Sequence, residues 1–473
     1  MDEDKKIVDC SLNDLKEVIE IIKINTDFEE KEIGIYLGVS IEGLSSIHQE
    51  YPKFKLSTIC YFLPQLLEQE GFKVEKLIRV TPYNGIKSVK KKLVEIDLDK
   101  EIEVVTDANY FLVKDNKKFV VCINFEGYME FTGVVGIYST EENKKIGSEI
   151  IKKLNSYIQV HNFLKGKKIT PFGKFLKVKS HDWNDIILSS KLKNEITRNI
   201  EKYLTNFKLY KENGLPTKRG ILITGIPGVG KTLLGKVLVS TIKDVTFIWA
   251  TPKYLLSGRE GIDMLFDLAT ETAPTILFLE DVDFYGTGRN QGNNSYVLGE
   301  FLNKVDGLIE NEGVLIIMTT NYPELLDEAI KERPGRFDRI IKMELPKKEE
   351  RRKMLSRFCK DLKVNDKIDW EKIVEQTDKF TPALLKELVI TACSFGIDAN
   401  SVENNKVILK QKHFDLALDA LKNYTKVDPT KKPLGFSKDK EFREEDEKEF
   451  YSGEEPGPAA ADFTYENDTG EIK

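Results

Sequence analysis

The segment "GILITGIPGVGKT" (220–232) constrains the fold of this chain more than any other stretch. An apolar run leads into a Gly-rich loop, and a helical run, "LLGKVLVSTI", follows. The glycines let backbone N–H groups turn inward around phosphate oxygens, while Lys231 adds a positive charge and Thr232 a hydroxyl that can ligate Mg²⁺. The segment predicts a phosphate-binding loop formed by Gly225, Pro227, Gly228, Val229, Gly230, Lys231, Thr232 and Leu233.

Five short apolar runs in the second half of the chain alternate with helical stretches: "GILITG", "VTFIWA", "TILFLED", "GVLIIMTT" and "RIIKMEL". Strands that are buried on both faces and separated by helices are typical of a parallel sheet. We therefore predict an α/β fold with the parallel sheet of a P-loop NTPase. After Glu344 the pattern is helical to about Tyr424.

The front of the chain has a different character. Residues 1–100 are mostly helical in pattern, with Pro64 interrupting one run, whereas 101–140 contains short β-branched and aromatic runs and a helix follows at 143–164. The sequence thus predicts five parts: an α+β module (1–165), a basic connector (166–180), the P-loop core (181–345), a helical domain (346–424) and an acidic tail (425–473) that we expect to be disordered.

Composition narrows the class of protein. The net charge of −6 disfavours a general binder of nucleic acid or of anionic membranes, because both need a basic surface. No apolar stretch approaches the roughly 20 residues that span a bilayer, and no secretory signal is visible. The five cysteines are scattered with no CxxC pair, so we expect a cytoplasmic protein with reduced thiols. The sequence contains no HExxH metal motif.

Two acids, Glu280 and Asp281, end the apolar run in "TILFLEDVD" (275–283). A P-loop enzyme needs acid at the tip of a neighbouring strand, to hold Mg²⁺ and to polarise the attacking water. We assign Glu280, with Thr232, to the metal and Asp281 to the water. Asp is one methylene shorter than Glu, so an alternative is that Glu280 shares the task of activating water. A second, non-functional alternative is a buried strand that simply ends in two solvated acids.

A polar residue ends the next apolar strand, and two arginines come after it in the sequence. Asn321 can orient the attacking water, and it can equally cap the helix that follows it. Arg336 and Arg339 lie beside a Pro-Gly turn, where they are either solvated or rigidly presented to the active site of a neighbouring molecule.

Taken together, these segments resemble the AAA ATPases in order and spacing. "GIPGVGKT" resembles Walker A, "ILFLEDVD" Walker B with its two acids transposed, "MTTN" sensor 1 and "ERPGRFDR" the arginine-finger segment, and the likeness covers about 180–424. The resemblance implies ATP and Mg²⁺ as ligands, a helical lid at 346–424 and a homo-oligomeric ring, usually a hexamer, whose arginines act in trans. It implies catalytic roles for Glu280, Asp281, Asn321, Arg336 and Arg339.

Two branches of that family are represented. The Glu-Asp order and the segment before the loop resemble the mitochondrial translocase of the folded Rieske iron–sulfur protein, although that branch carries an N-terminal transmembrane helix and none is visible here. The segment "FTPALLKEL" (380–388) resembles the proteasomal and segregase branch. Its usual Gly-Ala-Asp is replaced by Pro382-Ala383-Leu384, which puts the nucleotide contacts of this segment in question.

The resemblance also aligns Lys253, Tyr254 and Leu255 with the aromatic pore loop of unfoldases, where a ring can grip an extended polypeptide. Tyr254 packing beneath its own helix is the plain alternative. We expect a ring ATPase that remodels, unfolds or translocates a protein client. The alternatives are a loader acting on nucleic acid, suggested by the basic run at 87–92, and a nucleotide-gated scaffold.

Overall fold

The computed structural model describes residues 28–81, 85–125, 132–214, 219–251, 258–282, 301, 304–305, 313–322, 337, 339–403 and 406–421. The chain divides into two compact units, Met1–Phe175 and Leu176–Lys473. The acidic tail at 425–473 lies outside the described residues. Within the described ranges, none of the helices combines the length and the apolar character that crossing a membrane requires.

The first unit is built on an antiparallel sheet. Its strands are β1 (Leu44–Pro52), β2 (Lys73–Thr81), β3 (Gly85–Lys87), β4 (Lys90–Asp97), β5 (Lys100–Lys114), β6 (Lys117–Asn124) and β7 (Thr132–Thr140), and a short strand, β8 (Lys168–Ile169), follows. The strand order is β1-β7-β6-β5-β2-β3, and β4 also pairs with β5. The sequence predicts two separate strands, "EIEVVT" (101–106) and "NYFLVK" (109–114), where the structure has the single 15-residue β5.

The predicted helical character of residues 1–100 is wrong for most of the described part of that range. Strands β1, β2 and β4 lie there and pair with β7 or β5, which are distant in sequence. Pairing partners and same-face neighbours decide strand formation more than local preference does, and a single stretch read alone does not contain that information.

Helices cover both faces of this sheet. They are α1 (residues 28–37), α2 (Lys53–Gln69) and α3 (Lys144–Val160). Apolar side chains of α2 and α3 pack with Tyr110 and Leu112 on one face of β5, while Ile33 and Leu37 of α1 pack with Phe111 on the other. Because side chains alternate along a strand, coverage of both faces explains why the middle of β5 is buried throughout.

Pro64 lies inside α2 and does not end it, contrary to expectation. A proline in a helix removes one backbone hydrogen bond and disturbs the preceding turn. Here the Gln65 side-chain amide donates a hydrogen bond to the Tyr61 carbonyl (2.9 Å), which satisfies one oxygen of that turn. Leu63, Leu66 and Leu67 are buried around the proline, so packing keeps the helix continuous.

The contact of α1 with the sheet includes a buried polar pair. The Asn109 amide donates to the Glu29 carboxylate (2.8 Å), and the Asn109 oxygen accepts the Val80 backbone N–H (2.9 Å). Burial raises the pKa of the Glu29 carboxyl, because removing the charged form from water costs free energy. The pair adds a polar contact to the apolar packing of α1 on this face.

The second unit contains the predicted parallel sheet. Its strands are β9 (Arg219–Thr224), β10 (Thr246–Ala250), β11 (Thr275–Leu279), β12 (Val314–Thr320) and β13 (Arg339–Lys342). They pair in parallel in the order β13-β9-β12-β11-β10. The predicted α/β fold class is confirmed. The chain passes from β12 to the other side of β9, and ligands of open α/β sheets bind at the carboxyl ends of the strands at such a reversal of strand order.

Helices of the second unit pack on this sheet. They are α4 (Ser190–Asn199), α5 (Glu201–Thr205), α6 (Phe207–Glu212), α7 (Lys231–Thr241) and α8 (Gly258–Glu271). Leu234, Val237 and Leu238 of α7 lie in one buried apolar cluster with Phe278 and Ile317 of the central strands. The cluster anchors α7, so the loop before this helix has a fixed base.

The lid combines helices with a small sheet that the sequence did not predict. The helices are α9 (Lys348–Phe358), α10 (Trp370–Gln376), α11 (Pro382–Asp398) and α12 (Gln411–Leu421), and the strands are β14 (Lys363–Val364), β15 (Val402–Glu403) and β16 (Lys406–Leu409). The strand order is β14-β16-β15. These strands are too short to give a periodic signal.

One buried cation connects the lid helices. Arg351 is only 6% exposed, and its guanidinium donates to the carbonyls of Pro346 (3.0 Å) and Val374 (3.1 Å). An ion pair to Asp378 (3.5 Å) adds to these contacts. The arginine thus links the segment just before its own helix to the last turn of α10.

We predict that Arg351→Met destabilises the lid by about 2 kcal/mol, because buried carbonyls lose charged donors while the apolar packing is kept. Lys353→Met, at an exposed position of the same helix, is the matched control. Hydrogen exchange of α9–α11 peptides measures the effect, since global unfolding of a chain with two units is not a two-state process. Equal exchange in the two variants would contradict the prediction.

Candidate active site

The Gly-rich loop adopts a backbone that few other residues allow. Gly228 and Gly230 have φ angles of +82° and +104°, which belong to the left-handed region. A Cβ atom on Gly225 would lie 2.6 Å from the Met343 carbonyl oxygen, so that position has no room for a side chain. The loop connects the end of β9 to the start of α7, as predicted.

Lys231 is drawn into the loop. It is 6% exposed, and its ammonium donates to the carbonyls of Gly225 (2.7 Å) and Ile226 (3.3 Å). It also donates to the Asn321 side-chain oxygen (2.6 Å). A cation held among oxygens beside the first turn of α7, whose backbone N–H groups point outward, is suited to bind phosphate.

Glu280 contacts the loop directly. One of its carboxylate oxygens accepts a hydrogen bond from the Thr232 hydroxyl, and the other accepts the indole N–H of Trp249 (3.2 Å). Hydroxyl and carboxylate oxygens are the kind of ligand that Mg²⁺ prefers. The structure thus brings Thr232 and Glu280 into contact, and their role in holding a metal stays a prediction.

Asp281 takes a conformation unlike that of its neighbour. Its φ angle is +47°, and its backbone N–H donates to the Thr319 hydroxyl (2.9 Å). Asp tolerates the left-handed region better than most residues with a side chain. Its carboxylate accepts a hydrogen bond from the Asn321 amide nitrogen (3.3 Å).

Asn321 bridges the cation and the second acid. Its oxygen faces Lys231 and its nitrogen faces Asp281. The neighbours fix this orientation, because an ammonium only donates hydrogen bonds and a carboxylate only accepts them. The three residues come from β9–α7, β11 and β12, whose carboxyl ends are adjacent in the sheet.

The arginine predictions have different outcomes. Arg336 lies outside the described residues. Arg339 is exposed at the start of β13, where it is in register with Ile221, and the strand reaches the level of the cradle only at Lys342. Three residues of strand span about 10 Å, so Arg339 is not brought to the cradle of its own chain.

The pore-loop residues Lys253, Tyr254 and Leu255 also lie outside the described residues, in the segment between β10 and α8. Their predicted role stays a prediction.

The third lid helix, α11, begins beside the Gly-rich loop. The Ala383 backbone N–H donates to the Gly228 carbonyl (3.1 Å), and a Cβ on Gly228 would meet Ala383 at 2.9 Å. Thr381 caps α11 by accepting the Leu384 N–H. The Pro-Ala-Leu substitution thus leaves a backbone contact between lid and loop.

Sequence reasoning missed Trp249 and Thr319, which hold the two acids. Trp249 carries a polar N–H near the end of an apolar strand, and Thr319 carries a hydroxyl in a similar place. A hydrogen-bonding side chain late in a fully buried strand is the available signal. Which group each would meet depends on the pairing of β10, β11 and β12.

Residues 221–345 match the family described as "ATPase family associated with various cellular activities (AAA)". The match contains every predicted site residue, from Gly225 to Arg339.

Several curated proteins are similar over about half of this chain. The ATP-dependent zinc metalloprotease FtsH 2 of Salinibacter ruber is 32% identical over 263 residues, which are 50% of this chain and 37% of that protein. The proteasome-activating nucleotidase of Methanocella arvoryzae is 33% identical over 236 residues, which are 48% of this chain and 55% of that protein. The putative ribosome biogenesis ATPase nvl of Dictyostelium discoideum is 31% identical over 287 residues, which are 56% of this chain and 33% of that protein. The matches thus span from a third to about half of the length of these relatives.

The contacts of the two acids generate a paired prediction. We expect Asp281→Asn to retain bound ATP and to slow its hydrolysis about a hundredfold or more, because the proton acceptor is removed while the cradle is kept. We expect Glu280→Gln instead to weaken Mg²⁺-dependent ATP binding. Equilibrium binding and single-turnover hydrolysis separate the two effects. If Glu280→Gln traps ATP and Asp281→Asn does not, the two roles are reversed.

Proposed function

We propose that this chain, whose residues 221–345 match the AAA family of ATPases, hydrolyses Mg²⁺-bound ATP and uses the energy to remodel a protein client. The observation that carries the proposal is the convergence of Lys231, the Thr232–Glu280 pair and the Asn321–Asp281 pair on one cradle. Cation, metal-ligand oxygens and a second acid are the groups that phosphoryl transfer to water requires.

ATP and its metal would be held by different parts of the cradle. Lys231 and the amides of the loop would bind the phosphates, and Thr232 and Glu280 would hold Mg²⁺. The metal supplies positive charge that offsets the charge developing on the phosphate oxygens. The left-handed backbone at Gly228 and Gly230 and the contact between the Thr232 and Glu280 oxygens support this assignment of phosphate and metal ligands.

Asp281 is our candidate for the base that accepts a proton from the attacking water. Both carboxylate oxygens of Glu280 already accept hydrogen bonds, from Thr232 and from Trp249, so this group is poorly placed for a second task. Asp281 contacts the Asn321 amide, which in turn could orient the water toward the phosphate held by Lys231. The shorter side chain of Asp281 then requires the water to lie close to the end of β11.

We further propose that the enzyme works as a homo-oligomeric ring, a hexamer as in the family it resembles. Arg339 is exposed on β13, which pairs only with β9 among the described strands, so it is accessible to a neighbouring copy. Arg339 and Arg336 would approach the phosphates of that neighbour and stabilise the charge of the transition state.

The names of the relatives support a protein client: a metalloprotease, a proteasome-activating nucleotidase and a ribosome biogenesis ATPase. These 473 residues contain no HExxH, so we propose no peptide hydrolysis. In our proposal residues 1–165 select the client, 166–180 connect it to the core at 181–345, and the lid at 346–424 responds to the nucleotide. The four free cysteines in the described part of the chain support a cytoplasmic setting.

The ring proposal predicts dominant inhibition. Arg336→Ala or Arg339→Ala should leave ATP binding intact and reduce turnover about a hundredfold or more, because a charge at the transition state is removed. Titrating the variant into wild-type protein should lower the activity more steeply than its mole fraction. Arg352→Ala, at a partly buried position in the lid, is the control. Turnover that falls in proportion to the fraction of variant would contradict coordinated action of the subunits in a ring.

The client proposal predicts that Tyr254→Ala spares basal ATP hydrolysis and abolishes processing of an unfolded protein, because the aromatic grip is lost. Tyr254→Phe retains the aromatic side chain and should still process the unfolded protein. Hydrolysis stimulated by an unfolded protein supports the proposal. Stimulation by nucleic acid would favour a loader, and assembly without stimulation by either would favour a scaffold.

A further inference from the structure

Trp249 stands next to the metal-side acid because of strand pairing. It is the penultimate residue of β10 and is in parallel register with Phe278 of β11, two residues before Glu280. The Glu280 backbone N–H donates to the Ala250 carbonyl (3.0 Å), which extends the pairing to the acid itself. Trp249, Phe278 and Glu280 consequently project from the same face of the sheet.

The indole ring of Trp249 is tightly packed. Trp249 is 5% exposed, and its ring centroid lies 4.7 Å from that of Phe278. Both rings press on α7 at Gly235, where an added Cβ would lie 2.6 Å from Phe278 and 2.8 Å from Trp249. The helix that begins with Lys231 and Thr232 thus also forms the wall against which the indole rests.

The indole N–H is aimed at one acceptor. It donates to the Glu280 oxygen that Thr232 does not use (3.2 Å), so the carboxylate is held between a hydroxyl and an indole. An indole N–H can only donate, and burying it without an acceptor is costly. The contact therefore restrains both partners.

We infer that Trp249 is a positioning residue, which holds the Glu280 carboxylate toward Thr232 before Mg²⁺ binds. Glu has one more rotatable bond than the Asp that most AAA proteins place here, and the indole restrains that added freedom. The inference rests on the proposed function, because it concerns the same metal site. Removing a side chain that donates a hydrogen bond to a metal ligand typically lowers metal affinity or activity about tenfold or more.

The first test compares two Trp→Phe substitutions in the full chain. Trp249→Phe removes the indole contact to Glu280, and Trp183→Phe removes a similar contact to Glu201 (2.9 Å), which is not a predicted site residue. The measurement is the equilibrium affinity for a non-hydrolysable ATP analogue, with Mg²⁺ and with EDTA. We expect Trp249→Phe to weaken the Mg²⁺-dependent binding about tenfold and to leave binding in EDTA unchanged, and Trp183→Phe to change neither.

A second variant separates the hydrogen bond from the packing of the ring. The chain has three tryptophans, so Trp183→Phe with Trp370→Phe leaves Trp249 as the only one. Biosynthetic replacement of that residue by benzothienylalanine keeps the bicyclic shape and exchanges the N–H for sulfur. The same loss of about tenfold in Mg²⁺-dependent affinity is expected, with unchanged thermal unfolding.

Each result has one meaning. If the benzothienylalanine protein binds the Mg²⁺-loaded analogue as tightly as its tryptophan parent, the inference is overturned and the proposed function stands. An equal loss in Mg²⁺ and in EDTA would also overturn it, because the indole would then support the cradle as a whole. If the wild-type protein binds no nucleotide at all, the proposed function fails and the inference fails with it.

Discussion

The parallel pairing of β9, β12 and β11 is the constraint on which the site depends. Their registers bring Thr224, Thr320 and Leu279 to one edge of the sheet, so that the Gly-rich loop, Asn321 and the two acids all follow adjacent strand ends. The apolar cluster beneath α7 fixes the loop against that edge. The groups that meet around Lys231 and Thr232 lie 48 and 90 residues away in the sequence, and pairing of the strands brings them together. The functional group of each residue is evident from the sequence, whereas the proximity of these groups is determined by the pairing of the strands.

The order of the two acids has a physical explanation in the surroundings of each. Glu280 is long enough to reach the Thr232 hydroxyl, and the Trp249 indole restrains the added length. Asp281 has a left-handed backbone, which a short polar side chain tolerates better than a longer one. The transposition relative to most AAA proteins is thus compatible with the same division between a metal-side acid and a water-side acid. A Glu at 281 would have to adopt that backbone without the local advantage of Asp.

Sequence reasoning succeeded where the signal was continuous along the chain. The Gly-rich loop with its flanking strand and helix, and the five buried runs of the parallel sheet, are short motifs with a strong pattern. It was wrong about β1, β2 and β4, because pairing with β5 and β7 decides their structure. It also split β5 into two strands and ended α2 at Pro64, since neither the coverage of both sheet faces nor the Gln65–Tyr61 contact can be read from spacing. Trp249 was missed for the same reason: its acceptor follows a strand that is not adjacent in sequence.

The edge strand β13 has a consequence for an assembly of several copies. It carries Arg339 at one end, pairs with β9 along its length, and leads into Met343, whose N–H donates to the Thr224 carbonyl (2.7 Å) and whose oxygen borders Gly225. If Arg339 contacts the nucleotide of a neighbouring copy, as we propose, a displacement of its guanidinium acts on a strand that ends beside the first glycine of the loop in its own copy. The same four-residue strand would then border two nucleotide sites, one at each end.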